Sequence, residues 1–344
     1  MSVAERRPPT LPCRIFGFVA SPAITSTQQA AVIYNPIKVS LPKLKKAVNA
    51  AAKAAGWAPS IYFSTSVEDA GQRVTGSAIR RGAKVVLVAG GDGTVRAVAE
   101  GLRDSGVAMA VLPSGTGNLL ARNLNLNLTS LETAVDVAFN GVDHAIDLGV
   151  AAIHRANGDR EEHVFLVMAG LGIDAKMIAN TRSSLKKTVG WLAYIDGTIR
   201  SLPELAPVRL HYIRDGGPER TVEVHTIMVG NCGMLPGGIL LIPDAKLDDG
   251  LLDIVALRPQ GAFGWLRVWN KVAWENGVLR KSAVGRKIID LSRDVKDVTY
   301  WTGKDLQLRV ESPQDFQLDG DEFGEAVRVH TWVDPGALTV RIPS

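Results

Sequence analysis

The stretch VVLVAGGDGTVRAVAEGL (residues 85–102) runs from a continuous apolar segment through three glycines around one aspartate into residues at helix spacing. It reads as a buried strand, a tight turn and a helix starting at Thr94. Ligands of open α/β sheets bind beyond the carboxyl ends of the strands, where this turn lies. Gly90, Gly91 and Gly93 let the backbone approach phosphate oxygens closely. A helix N-terminus adds free N–H donors and the positive end of its dipole. Asp92 in such a loop can hold Mg2+ or order a phosphate's water. The segment lacks the lysine of a Walker A loop and does not match GxGxxG. A single loop of this kind also reads as a plain turn. One strand–helix unit later comes a second, LPSGTGNLLARNL (112–124). Parallel neighbouring strands put both on one sheet edge, so that Gly115, Thr116, Gly117 and Asn118 face Gly90–Thr94 across a cleft. Two facing glycine turns make a nucleotide pocket in which backbone donors replace the lysine.

Strand and helix signals alternate around these loops. AAVIYNP, APSIYFSTS, AKVVLVAG and VAMAVLPSGT read as strands. LPKLKKAVNAAAKAAG and VEDAGQRVTGSAIRRG read as helices stopped by glycine, and NLLARNLNL starts another. Short apolar strands separated by helices predict a mainly parallel sheet covered on both faces. After about Phe139 the pattern changes to closely spaced strand-like segments, which predict an antiparallel sandwich or barrel interrupted by helices near 175–202 and 261–288. The fold expected is an α/β nucleotide-binding domain (30–140) followed by a mainly antiparallel β-sandwich domain (141–328). A flexible tail precedes it (1–29), and a C-terminal strand (329–344) could return to either sheet.

The 344 residues carry 39 Lys+Arg against 35 Asp+Glu, a net +4. This mild excess permits an anionic partner without requiring one. Hydrophobic residues make up 46% and charged ones 22%, as in globular proteins. No apolar run reaches the length of a membrane span. Arg14 and several prolines break the apolar part of the N-terminus, which argues against a signal peptide. Two cysteines, Cys13 and Cys232, make a disulfide framework improbable and fit a reducing cytoplasm. The six histidines show no metal spacing, LPSGTG is not the GxSxG of hydrolases, and no stacking platform points to nucleic acid.

GGDGT followed by PSGTGN resembles the diacylglycerol kinase catalytic family, which includes sphingosine and ceramide kinases and bacterial soluble lipid kinases. The fold expected from that resemblance is NAD kinase/diacylglycerol kinase-like. The likeness extends from about Ala30 through YNP (34–36), FSTSVEDAG (63–71), GNCGMLPGGILLIPDAKLDDGLLDIVAL (230–257) and QLDGDEFG (317–324). It places ATP against Asn35, Thr65, Gly90, Gly91, Asp92, Gly93, Thr94, Gly115, Thr116 and Asn118. Asp244, Asp248, Asp249 and Asp253 read by themselves as a hairpin turn with solvated carboxylates. The resemblance implies a structural Mg2+ on Asp249 with the carbonyls of Lys246 and Leu251. It also implies phosphoryl transfer from ATP to a lipid hydroxyl, in which Asp92 acts near Mg2+ and phosphate. The proton acceptor falls at Asp321, an Asp where relatives carry Glu; Glu322 is the alternative base. Asp319 supports the geometry or a metal.

A bilayer-dissolved acceptor requires a membrane surface. Residues 182–202 and 261–287 mix bulky apolar and basic residues, with Trp265, Trp269 and Trp274 among lysines and arginines. Tryptophan favours the headgroup level, and clustered Lys/Arg are attracted to anionic lipid. The expectation is a cytoplasmic, peripherally membrane-associated kinase, with diacylglycerol the first acceptor and phosphatidate the product. A sphingosine- or ceramide-type kinase, an NAD kinase and a non-catalytic lipid- or nucleotide-binding protein are the alternatives. An uncovered sandwich edge could pair two copies into a homodimer.

Overall fold

The computed structural model describes residues 28–172, 207–235, 239–242, 244–259, 264 and 297–344. Residues 1–27 of the N-terminal tail lie outside these, as do the helices expected near 175–202 and 261–288 with their Trp- and Lys/Arg-bearing stretches, apart from Gly264. The first half contains β1 (Gln29–Tyr34), α1 (Leu41–Ala54), β2 (Ala58–Ser64), α2 (Gln72–Arg80), β3 (Val85–Gly90), α3 (Asp92–Leu102), β4 (Ala108–Pro113), α4 (Leu119–Asn123) and α5 (Leu131–Asn140). Its four strands are parallel in the order β2-β1-β3-β4. β3 is buried on both faces, and successive side chains divide between them. Val85, Leu87 and Ala89 pack with Leu44 and Val48 of α1 and Val135 and Phe139 of α5. Val86 and Val88 pack with Ala78 of α2 and Val95, Val98 and Leu102 of α3.

β5 (Val142–His154), β6 (Arg160–Phe165), β7 (Met168–Gly172), β8 (Val208–Arg214), β9 (Arg220–Val224), β10 (Thr226–Gly230), β11 (Met234–Leu235), β12 (Ile239–Leu240), β13 (Leu252–Leu257), β14 (Val298–Gly303), β15 (Asp305–Leu318) and β16 (Asp321–Ile342) follow. Among the described residues their pairings are antiparallel, apart from a parallel bridge from β16 to β4. The sandwich core is built from Ile153, Phe165, Leu171, Leu210, Ile227, Ile254, Phe316, Leu318 and Val329. Among the described residues, no helix is long and apolar enough to cross a membrane.

Tertiary contacts redraw several element ends. α2 starts at Gln72, because the Asp69 carboxylate accepts from Gly71 N, Arg73 N and Val74 N, each at 3.1 Å, and so caps the helix there. α3 starts at Asp92, two residues before Thr94, with Gly91 as its N-cap. The segment beginning NLLARNLNL makes two helices: α4 stops at Asn123, and α5 restarts after Ser130, whose hydroxyl accepts from Thr133 N at 3.1 Å. EEHVFLVMAGLG is broken between β6 and β7, while DLQLRV and DFQL fuse into one strand, β15. LTVRIP is no separate strand. It is the end of β16, which pairs with β5 from Arg328↔His154 to Ile342↔Val142 and bridges to β4 at Val340↔Met109. One continuous hydrogen-bonded sheet therefore links both halves.

Candidate active site

The carboxyl edge of the parallel sheet gathers the residues expected to meet nucleotide. Asn35 N donates to Ala89 O (2.9 Å) and Thr65 N to Tyr34 O (3.0 Å), so the ends of β1, β2 and β3 lie side by side. Gly90 pairs with Pro113 at the end of β4. The two glycine loops touch: a Cβ on Gly115 would stand 3.1 Å from the Gly91 Cα. Asn118 shapes the second loop from within. Its backbone is left-handed (φ 48°), a conformation asparagine tolerates. Its amide accepts from Gly115 N (3.1 Å) and donates to Gly115 O (2.9 Å). Arg122 Nε donates to Gly117 O at 2.7 Å. Thr116 is exposed at the loop tip. Thr65 and Thr94 are buried, and Thr94 packs its side chain against Gly90. The first intrahelical α3 bond is Val95 N to Gly91 O (3.0 Å). The amides before it point out of the helix end, an arrangement that receives anions.

Asp92 has a different partner from the metal expected. Its Oδ1 accepts from Leu119 N at 2.6 Å, so it caps α4 and ties the two loops together. The carboxylate also lies so close to Gly117 that a Cβ there would collide with it. Burial pushes its carboxyl above the usual range, opposed by the N–H groups of Leu119 and Asn118. The cap takes up Oδ1 and leaves Oδ2 as the oxygen that would face a Mg2+ or a phosphate's water.

The DGD turn joins β15 to β16 and brings the second half against α3. Asp319 is buried, with a left-handed backbone (φ 52°). Its oxygens accept from Leu166 N (2.9 Å), Val167 N (2.8 Å) and Met168 N (3.0 Å), the residues at the break between β6 and β7. Burial pushes its carboxyl up despite these three donors. Asp319 is a structural pin; a metal role does not fit oxygens so occupied. Asp321 is half-exposed, accepts from Arg96 Nη2 at 3.1 Å, and lies against Gly93 of the first loop. Arg96 also stacks over the Phe323 ring, 4.6 Å from its centroid. Side chains alternate along a strand, so Glu322 projects from the face opposite Asp321 and Phe323. Sequence reasoning missed Arg96 and Phe323. The one available signal was a charged residue inside the apolar helical run VRAVA.

The acid loop does not converge. Asp249 is exposed and Oδ1 accepts from Leu251 N at 3.1 Å. Asp248 lies 3.6 Å from His144, and Asp253 is buried on β13. Among the described residues, no three His, Cys, Asp or Glu side chains gather as a metal cluster. The loop is held instead by Asp147 of β5, another residue the sequence did not flag. Its carboxylate accepts from Gly250 N (2.7 Å) and Gly336 N (2.8 Å), and its own N donates to Leu247 O (2.6 Å). One exposed carboxylate with the neighbouring Lys246 and Leu251 carbonyls is still an all-oxygen donor set of the kind Mg2+ takes together with water.

Comparison with known proteins gives the family and the fold. Residues 29–151 match the family profile described as diacylglycerol kinase catalytic domain. Residues 166–342 match the YegS C-terminal NAD kinase beta sandwich-like domain. A Pseudomonas aeruginosa protein named "Probable lipid kinase YegS-like" is 33% identical over 279 residues, 79% of this chain and 81% of its own. A Bacillus subtilis protein named diacylglycerol kinase is 30% identical over 245 residues, 70% of this chain and 77% of its own. The crystal structure of a diacylglycerol kinase from Bacillus anthracis shares the fold, with TM-score 0.61 and 19% identity over 91% of this chain and 96% of that one. The chain belongs to the family of lipid kinases that unites the YegS-like proteins and the diacylglycerol kinases.

Proposed function

We propose that this kinase transfers the γ-phosphate of ATP to the hydroxyl of a membrane lipid, with diacylglycerol the first acceptor and phosphatidate the product. The observation that carries the reading is the contact between the two halves: Asp321 lies against Gly93, beside the edge built to receive phosphate. Backbone amides of Gly91, Gly93 and Gly115 cradle the phosphates, and Asn35, Thr65, Thr116 and Asn118 line the nucleotide. ATP enters as its Mg2+ complex. A further Mg2+ on Asp249 and the carbonyls of Lys246 and Leu251 would stiffen that loop; the chemistry needs no step through it.

In the transfer, the lipid hydroxyl oxygen bonds to the γ-phosphorus while the bond to the ADP oxygen breaks. The hydroxyl proton passes to the Asp321 carboxylate. Positioning and charge stabilisation dominate such reactions, and a carboxylate within reach of the hydroxyl contributes on the order of 100- to 10,000-fold. Asp319 keeps the turn in place, and Asp92 keeps the two glycine loops together. Because the acceptor is dissolved in a bilayer, the enzyme works as a cytoplasmic protein docking peripherally on the membrane.

The test is purified protein with labelled ATP, Mg2+ and mixed micelles carrying diacylglycerol, a sphingoid base or ceramide, with NAD in a parallel tube. Label is expected in diacylglycerol. Label in another lipid keeps the kinase mechanism and renames the acceptor. Label in NAD alone, or none in any tube, overturns the proposal. Asp321→Asn is expected to lower kcat by about 100-fold or more.

A further inference from the structure

Arg96 is a poor investment as a stability device. Its side chain is only 9% exposed. A guanidinium has five N–H donors, and burying its charge is costly unless they are satisfied. Among the described residues Arg96 makes one hydrogen bond, from Nη2 to Asp321 Oδ2 at 3.1 Å, and its Nε is buried with no acceptor. The Phe323 ring supports the guanidinium at 4.6 Å. Other charged side chains near the pair are engaged elsewhere. Glu100 accepts from Val164 N (3.3 Å) and faces His163 (3.5 Å), Asp319 is capped by three amides, and Asp92 caps α4.

What the pair does achieve is geometric. Asp321 is about half exposed, and a carboxylate free in solvent samples several rotamers. Arg96 stands on α3, the helix whose N-terminus forms the first glycine loop, three residues beyond Gly93. The helix that frames the phosphate edge therefore also aims the carboxylate at it. We propose that Arg96 is a positioning residue for phosphoryl transfer: stacked on Phe323, it holds Asp321 against Gly93. The inference rests on the kinase reading above and adds a residue to it.

The test is a double-mutant cycle in the full-length protein, with dioleoylglycerol in mixed micelles, ATP and Mg2+, reading kcat, the KM for ATP and the melting temperature. Misplacing a reacting group by about 1 Å costs on the order of 100-fold in rate. Arg96→Met keeps a long side chain to lie on Phe323 and is expected to lower kcat by about 30- to 100-fold, with the KM for ATP changing less than about 3-fold. Arg96→Lys is expected to recover part of that loss. Adding Arg96→Met to Asp321→Asn is expected to cost little more than Asp321→Asn alone, because both act through one carboxylate.

Multiplying losses in the cycle overturn the inference. So does a KM for ATP that rises while kcat holds, since Arg96 would then be a phosphate ligand. If Arg96→Met unfolds, Arg96→Lys decides alone: kcat falling with KM and melting temperature held supports the role, and wild-type kcat removes it. Turnover of wild type separates the two readings. A wild type inert towards every lipid sinks the kinase proposal and this inference with it; an active wild type with independent losses sinks the inference alone.

Discussion

Two acidic turns, DGDEFG at 319–324 and DDG at 248–250, use the same residues and end in different chemistry. In the first, Asp319 goes fully inside and Asp321 stays half outside, one residue apart from the turn glycine on either side. In the second, Asp248 and Asp249 are both exposed, and a carboxylate from another strand, Asp147, does the holding. The difference teaches that an aspartate beside a turn glycine acquires its role from whichever backbone amides fold against it. Asp319 meets three at the β6–β7 break; among the described residues Asp249 meets one, that of its near neighbour Leu251.

The comparison breaks most directly at Asp319. Replacing it with Ala leaves three buried N–H groups without acceptors, and each such group costs about 1–3 kcal/mol. Asp319→Ala is expected to lose about 3–5 kcal/mol in urea unfolding. A loss below about 1 kcal/mol would remove the pin from the account.

Asp147 tests the second turn by its true support. Its side chain takes two amides, at Gly250 and at Gly336, whose left-handed backbone (φ 63°) sits in the bulge of β16. Asp147→Ala is expected to cost about 2–4 kcal/mol and to speed hydrogen exchange at both glycine amides. Unchanged exchange at Gly250 would mean that the loop holds itself.

Asp249 sharpens the contrast at its weakest end. Its exposed carboxylate predicts a stability change within about 0.5 kcal/mol for Asp249→Ala without metal. If Mg2+ binds there, added Mg2+ raises the melting temperature of the wild type and leaves that of Asp249→Ala unmoved. Equal shifts in both proteins would place the cation elsewhere.

The two halves of the fold and the adjacency of the two glycine loops were legible because they depend on local chemistry. Apolar runs of strand length, helix spacing between them and glycines at strand ends set β1–β4, and parallel order then brings Gly90–Thr94 beside Gly115–Asn118. Both signals lie within single strand–helix units. Strand identity in the second half was also legible; strand continuity was not. Whether EEHVFLVMAGLG runs on or breaks depends on Asp319, about 150 residues away. Whether LTVRIP stands alone depends on β5 and β4 receiving it.

Side-chain roles followed the same division. The sequence alone singled out the candidates, namely Asp92, Asp319, Asp321 and the glycines that leave room beside them. Only the tertiary structure decided that Asp92 would cap α4, that Asp319 would be buried against three amides, and that Arg96 would reach Asp321 across 225 residues of chain. The physical reason is that a carboxylate's function is set by which donors desolvate and hold it. Such donors come from whatever segment packs against it, with no fixed spacing along the chain.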